Sequence, residues 1–345
     1  MPHLPIALDA MGGDHMPDAA IDGAIAAARR GIPVLLVGDE ARLQAGLAER
    51  GGVPRDAAPI DVLHAADVIR MEDHAGDVRR RREASIRVAA DAVKDGAASA
   101  LVSMGHSGAT MATALLVFGR ISGVERPAIV ATIPAKNGPV TLLDVGANAD
   151  CKPGMLQQFA VMGSVYARLA HDRDDPTIGL LSIGEEPGKG NELVRETHPL
   201  LARTPGIRFH GNVEGRDLLA GTTDVVVTDG FTGNVALKLA EGEARVLFGW
   251  IRDALRSGMR SKLGGLLAKP ALKAVANRLD PSTYGAQPLL GVNHPTFIGH
   301  GSADARAVDN ALAFARDAVD GGLVERLARE VATSITDQAS GDAND

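Results

Sequence analysis

The residues of this sequence best suited to chemistry fall in a few short polar loops. Asp9-Ala10-Met11-Gly12-Gly13-Asp14-His15 sets two carboxylates around paired glycines, just ahead of a helix that can start at Pro17 or Asp18. Gly12 and Gly13 let backbone amides turn toward an anion, and a helix N-terminus adds a favourable dipole. Asp9 and Asp14 could orient a substrate, a lysine or a water; a tight turn with an Asp cap fits the same residues equally well. Ser103-Met104-Gly105-His106-Ser107-Gly108-Ala109 suits phosphate through the Ser107 hydroxyl and the amides around Gly108. Ser107 as a plain helix cap is an equal reading. The stretch resembles a hydrolase nucleophile elbow only loosely, because Ala109 stands where a second glycine belongs.

Gly184-Glu185-Glu186-Pro187-Gly188-Lys189-Gly190-Asn191-Glu192 comes close to a nucleotide P-loop. It misses by one residue in spacing and has no Ser or Thr after the lysine, so ATP is not the expected ligand. What survives is Lys189 on a glycine-flanked loop, able to hold a phosphate or an oxyanion as a point charge. A solvated surface lysine is the simpler reading of that motif alone. Asp229-Gly230-Phe231-Thr232-Gly233-Asn234 completes the set, with Asp144 and Asn148 from one further loop and Asn212 and Glu214 from another. Asn donates hydrogen bonds without adding charge, as a site for a divalent anion needs. Each alone reads as a turn residue; together, at successive strand ends, they point to a site.

The elements that must position these loops are short apolar runs at 6–8, 34–37, 60–63, 100–103, 128–132, 140–143, 178–182 and 225–228. They alternate with helical patterns near 18–30, 83–95, 108–119, 155–171, 191–203 and 233–263. Continuously apolar strands alternating with helices predict an α/β fold with a mainly parallel sheet buried on both faces. Ligands in such sheets bind beyond the carboxyl ends of the strands. All the polar loops are therefore expected on one edge, around one shared cleft. Aromatics make up only 3% of the 345 residues, so the core must come from Ala, Val, Leu and Ile.

Several classes of function are disfavoured. A net charge of −7 argues against a nucleic-acid binder. The one cysteine, Cys151, rules out an internal disulfide and a multi-cysteine metal site. No G-x-G-x-x-G follows a strand and no H-E-x-x-H occurs, so neither a dinucleotide nor a dedicated zinc site is expected. No secretory leader and no apolar run long enough to span a membrane stand out. One stretch opposes the acidic whole: 250–280 holds seven basic residues and two acids, +5, leaving −12 elsewhere. Ile251, Leu255, Met259 and Leu263 recur every fourth residue there, Gly264-Gly265 breaks the pattern, and Leu266, Leu267 and Leu272 resume it around Pro270. That is a basic amphipathic hairpin, suited to an anionic membrane surface or to a dimer interface.

Taken in order, these loops resemble the acyl-acyl-carrier-protein:phosphate acyltransferase family of bacterial phospholipid synthesis. The resemblance runs from about Ile6 to about Leu327. Its most specific pieces are the run from Ala7 to His15, Leu143-Asp144-Val145-Gly146-Ala147-Asn148 with Cys151-Lys152-Pro153, Lys189-Gly190-Asn191-Glu192, and the run from Asp229 to Val235. Gly299-His300-Gly301-Ser302 matches a C-terminal signature. The family pattern carries Ala, Asn and Thr where this chain has Met104, His106 and Ser107, and a proline before Arg79 that this chain lacks.

The resemblance implies a Rossmann-like α/β/α sandwich, similar to phosphotransacetylase and isocitrate-type dehydrogenase folds. A single domain over 1–337 is expected, with a protruding helical hairpin at about 245–280, and the small, polar residues 338–345 are expected to form a flexible tail. The resemblance also implies transfer of a fatty acyl group from acyl carrier protein to inorganic phosphate, without a cofactor, in a cytoplasmic homodimer associated peripherally with the membrane. A membrane glycerol-3-phosphate acyltransferase would take the acyl phosphate onward. In that reaction Gly12, Gly13, Ser107 and Gly108 would cradle phosphate, Lys189 would offset charge, and Asn148, Asn191, Asn212 and Asn234 would orient groups. Asp9, Asp14 and Asp229 would fix donors or move a proton. Arg79-Arg80-Arg81-Arg82 would meet the acidic carrier, with Arg82 as an alternative phosphate contact. Cys151 beside Asp150, with no adjacent histidine, favours direct attack by phosphate over an acyl-cysteine. A dehydrogenase on the same fold and a non-catalytic carrier or membrane scaffold are the rival readings.

Overall fold

The structure, a computed structural model, describes residues 3–283 and 285–341, with side chains except at 281 and 334–341. The amino-terminal half alternates β1 (Ile6–Asp9), α1 (Asp18–Arg29), β2 (Val34–Gly38), α2 (Glu40–Glu49) and β3 (Ile60–His64). It continues through α3 (Ser85–Lys94), β4 (Ala100–Ser103) and α4 (Ser107–Val117). A hairpin of β5 (Ala128–Ala135) and β6 (Gly138–Leu143) leads into α5 (Pro153–Ala170), β7 (Thr177–Leu181) and α6 (Glu192–Arg203). Then come β8 (Arg208–Val213), α7 (Gly215–Ala220) and β9 (Val225–Val227). Two long helices, α8 (Gly230–Arg256) and α9 (Met259–Leu279), precede β10 (Ala286–Leu290), β11 (Thr296–Gly299), α10 (Ala305–Asp320) and α11 (Leu323–Gly341).

All eight expected strands are present, and β8, β10 and β11 join them in one sheet of order β3-β2-β1-β4-β11-β10-β5-β6-β9-β7-β8. Most neighbours are parallel, but β10 is antiparallel to both β11 and β5, and β5 is antiparallel to β6. The strands therefore form two opposed parallel sets: β1 to β4 with β11 and β5 run one way, and β10, β6, β9, β7 and β8 run the other. The expectation of a single loop-bearing edge is corrected here. The loops after β1 and β4 leave one edge of the sheet, and those after β6, β7 and β9 leave the opposite one. The reversal is made by the adjacent β5 and β6, while β10 and β11 are inserted between β5 and β4 from far along the chain, and the apolar pattern of a strand is the same in either direction.

The strands are buried on both faces. Ile6 and Leu8 pack toward α1 and α10, while Ala7 between them packs toward α3 and α4, as period-2 alternation requires. In the other half, Val225 and Val227 face α5 and Val226 faces away. Small and branched aliphatics fill the core, and Phe159 and Phe297 are its largest fully buried side chains. The expected break at Gly264-Gly265 does not occur: both lie inside α9, as does Pro270, and the turn falls at Ser257-Gly258. The last helix reaches Gly341, into the tail expected from 338; residues 342–345 lie outside the described residues.

Candidate active site

β1 ends at Asp9, whose carboxylate turns inward rather than toward a ligand. Its Oδ1 accepts from the Ser85 hydroxyl at 2.6 Å and from the amides of Met11 and Gly12 at 3.4 and 3.3 Å. Oδ2 accepts from the Ser103 hydroxyl at 2.8 Å, and Ser103 Oγ accepts from the Gly105 amide at 3.1 Å. Asp9 thus ties the loop after β1 to the loop after β4. Burial raises its pKa, opposed by these hydrogen bonds. Gly12 exists for close approach: a Cβ there would stand 2.6 Å from Asp9 Oδ2 and 3.0 Å from Gly105 Cα.

A second buried carboxylate builds the opposite wall. Asp144 Oδ1 accepts from the amides of Ile129, Gly146 and Ala147 at 3.0–3.1 Å. Its Oδ2 accepts from the amide and side chain of Asn148 at 2.7 and 2.9 Å. Asp144 is fully buried, and desolvation raises its pKa. The first turn of α8 lies directly on this loop. The Gly230 amide donates to Asn148 O at 2.7 Å, and a Cβ at Gly233 would overlap the Asp144 carbonyl oxygen. Asp229 caps α8, accepting from the Thr232 amide and hydroxyl at 2.8 and 2.7 Å.

Between the two walls is a cleft of about 380 Å³, floored by β5, β10 and β11. From the first wall come Asp14, Gly105, Ser107 and the 299–302 loop; from the second come Gly146, Asn234, Lys238 and Glu241. Opposed strand directions bring the walls together, because the short central strands put both sets of carboxyl ends within a few residues of one level. Ser107 is exposed at the first position of α4. It does not cap the helix. His106 does so, its Nδ1 accepting from the Ala109 amide at 3.2 Å, which leaves the Ser107 hydroxyl to the cleft. Asn234 lies against Gly146, whose φ of 144° and missing Cβ admit the amide: an added Cβ would sit 3.0 Å from Asn234 Nδ2.

Other expected site residues stand elsewhere or are occupied. Asn148 Nδ2 is taken by Pro127 O at 2.8 Å and by Asp144. Gly108 lies under the His106 ring. Asn191 caps α6 through the Val194 amide at 3.0 Å. Asn212, buried in β8, donates to Glu186 O at 2.8 Å and so braces the 184–190 loop from below. Lys189 is exposed on that loop, after β7, and does not line the cleft. Arg82 is exposed, while its neighbours are employed: Arg80 pairs with Asp77 at 2.7 Å, and Arg81 bridges Asp67 and Asp73 at 2.5 and 2.7 Å. The Arg79–Arg82 run is thus a short helical end and the loop beyond it, with its two central residues tied down.

Comparison with known proteins assigns the family. The family model described as "Fatty acid synthesis protein" matches residues 4–326. A phosphate acyltransferase of Thermus thermophilus is 60% identical over 322 residues, covering 93% of this chain and 97% of that protein. One from Anaeromyxobacter sp. is 52% identical over 332 residues, covering 96% and 91%. The chain belongs to the phosphate acyltransferase family. Among solved structures, a phosphotransacetylase from Streptococcus pyogenes has a TM-score of 0.61 at 18% identity, covering 92% of this chain and 94% of its own. A 4-hydroxythreonine-4-phosphate dehydrogenase from Klebsiella pneumoniae has a TM-score of 0.53 at 14% identity, with 92% and 98% covered. These two share the fold, as the resemblance to phosphotransacetylase and dehydrogenase architectures implied.

Two residues of the cleft had no role in the sequence analysis: Lys238, which lies outside the loops quoted there, and His300, which lies within the C-terminal signature. Lys238 follows Asn234 by one helical turn, so it shares the cleft-facing side of α8, and it has no ion pair among the described residues. The i, i+4 spacing was a usable signal for it. His300 had none beyond its glycine-rich surroundings; its Nδ1 contacts Ser302 Oγ at 2.9 Å at the cleft rim.

Proposed function

We propose that this acyltransferase moves a fatty acyl group from the thioester of acyl carrier protein to inorganic phosphate. A phosphate oxygen attacks the thioester carbonyl carbon, a C–O bond forms, the C–S bond breaks, and the carrier's thiolate leaves and takes up a proton. The observation that carries this reading is the convergence of Ser107, Asn234 and Lys238 on one cleft, from two walls each braced by a buried carboxylate. Neutral donors and one cation hold a phosphate dianion without over-stabilising it, and preorganised donors stabilise the oxyanion as it forms. Asp14, His300 and Ser302 supply the remaining polar rim. Asp9, Asp144 and Asp229 act as positioning residues, fixing backbone amides and a helix start.

Direct attack is favoured because the only thiol is a poor nucleophile. Burial, with Asp144 next in effect, pushes the Cys151 pKa up to about 12. The acidic carrier would meet the exposed Arg79 and Arg82. The α8–α9 hairpin combines exposed Met259, Leu263, Leu266 and Leu267 with its basic residues, so we assign it to an anionic membrane surface. Phe231, Val235, Leu239 and Trp250, exposed along α8, are the face we assign to a homodimer. The labile product would pass to a membrane acyltransferase. The test is to incubate the chain with acyl-carrier thioester and phosphate. Acyl phosphate and free carrier thiol should appear in equal amounts, and only with phosphate present. An acyl group trapped on Cys151 would overturn direct attack.

A further inference from the structure

On the far side of α5 from the cleft, α5 and α11 enclose a hollow of about 220 Å³ lined by Val165, Arg168, Arg326, Arg329 and Glu330. Three guanidiniums surround one carboxylate, an excess of two positive charges. Arg168 is fixed in place: its guanidinium reaches Glu330 Oε1 at 3.2 Å and Ser164 Oγ at 3.0 Å. Glu330 lies one turn beyond Arg326 on α11, the spacing of a helical ion pair, yet it is engaged by Arg168 instead. Arg326 and Arg329 are exposed and have no ion-pair partner among the described residues. Three like charges around one hollow repel one another, and an anion between them removes that repulsion.

We propose that this hollow is a binding site for a small phosphoryl dianion, separate from the catalytic cleft. Arg forks match phosphoryl oxygens in pairs, and two net positive charges match a dianion. The volume suits phosphate, pyrophosphate or one phosphate monoester head; sites for larger organic ligands start at roughly 300 Å³. The helix that carries Arg168 also carries Tyr166, which lines the cleft, so occupants of the two sites share α5.

The test uses the full chain and the Arg326→Ser/Arg329→Ser variant, whose altered side chains have no ion pair among the described residues and lie outside the cleft. Calorimetric titration with inorganic phosphate should find two sites in wild type and one in the variant, with Tm and acyl transfer to phosphate kept. Vesicles containing phosphatidic acid form the second arm. A loss of at least tenfold in phosphate affinity at the second site alone identifies a soluble ligand, and a loss in vesicle binding alone identifies a lipid headgroup. Equal binding of both probes by variant and wild type overturns the site. If the double variant unfolds, Arg329→Ser alone is titrated, with the same reading. The Arg326→Lys/Arg329→Lys variant, which keeps charge but loses the fork, should bind between the two.

Discussion

The loops after β1 and β6 differ from the loop after β7 in how they are held, although all three carry Gly, Asp, Asn or Lys of the kind that suggests a site. Asp9 and Asp144 are buried carboxylates that each gather several donors from neighbouring chain segments. The loops they brace form the walls of the cleft. The 184–190 loop has no such bracket: Asn212 supports one carbonyl from below, and Glu185, Glu186, Pro187, Gly188 and Lys189 are exposed. Residues on the walls are preorganised by what lies beneath them. The strand that carries the Lys189 loop, β7, stands two strands from β6, about 10 Å across the sheet, and Lys189 does not line the cleft.

The hardest blow to this contrast falls on the bracket itself. Asp144→Ala leaves four backbone amides and the Asn148 side chain short of their acceptor, and should cost about 4 kcal/mol in denaturant unfolding. A loss under about 1 kcal/mol would mean the wall is not built this way. Next, Lys238→Ala should lower kcat/KM by about 3 kcal/mol, the scale of one lost oxyanion-type contact, with folding unchanged. Lys189→Ala should lose less, about 1–2 kcal/mol of the same quantity, since its loop must first move. Equal or larger loss at Lys189 would break the comparison and show that the 184–190 loop closes on the cleft in turnover.

Smaller effects sharpen the picture. Asn191→Ala removes a helix cap rather than a ligand, so it should cost about 1 kcal/mol of stability, read from the unfolding midpoint. A fall in kcat/KM larger than that loss explains would restore Asn191 to the site. The weakest effect concerns Cys151. Its folded-state pKa is raised from about 9 to about 12, so its contribution to stability is present below pH 9 and is lost as pH rises toward 12. Cys151→Ser should keep activity and flatten the decline in Tm across that interval. An unchanged pH profile would show that the thiol is not shielded as described.

Much of the site was written into the sequence as loop composition. Gly12, Asp144, Gly233 and Asn234 could be singled out because short polar loops after apolar runs have few other uses. The strands were legible for the same reason, since burial on both faces leaves runs such as Val34–Gly38 almost wholly aliphatic. Roles were less legible. A carboxylate that binds a substrate and one that binds backbone amides look alike in sequence, and only burial separates Asp9 and Asp144 from exposed Asp14.

What the sequence determined by itself, then, was the alternation of buried strand and helix, the stock of small, polar and acidic residues at strand ends, and the family. Local propensity, period and composition are properties of neighbouring residues, so one chain segment suffices to state them. What only the tertiary structure decided was which loops meet. The antiparallel β5–β6 pair sets β6, β9, β7 and β8 against β1 to β4, β11 and β5, and so faces Ser107 toward Asn234 and Lys238 while Lys189 stays outside the cleft. Which strands become neighbours is fixed by hydrogen bonding between segments more than a hundred residues apart, as in β10 with β5 and β11 with β4, and no local pattern carries that information.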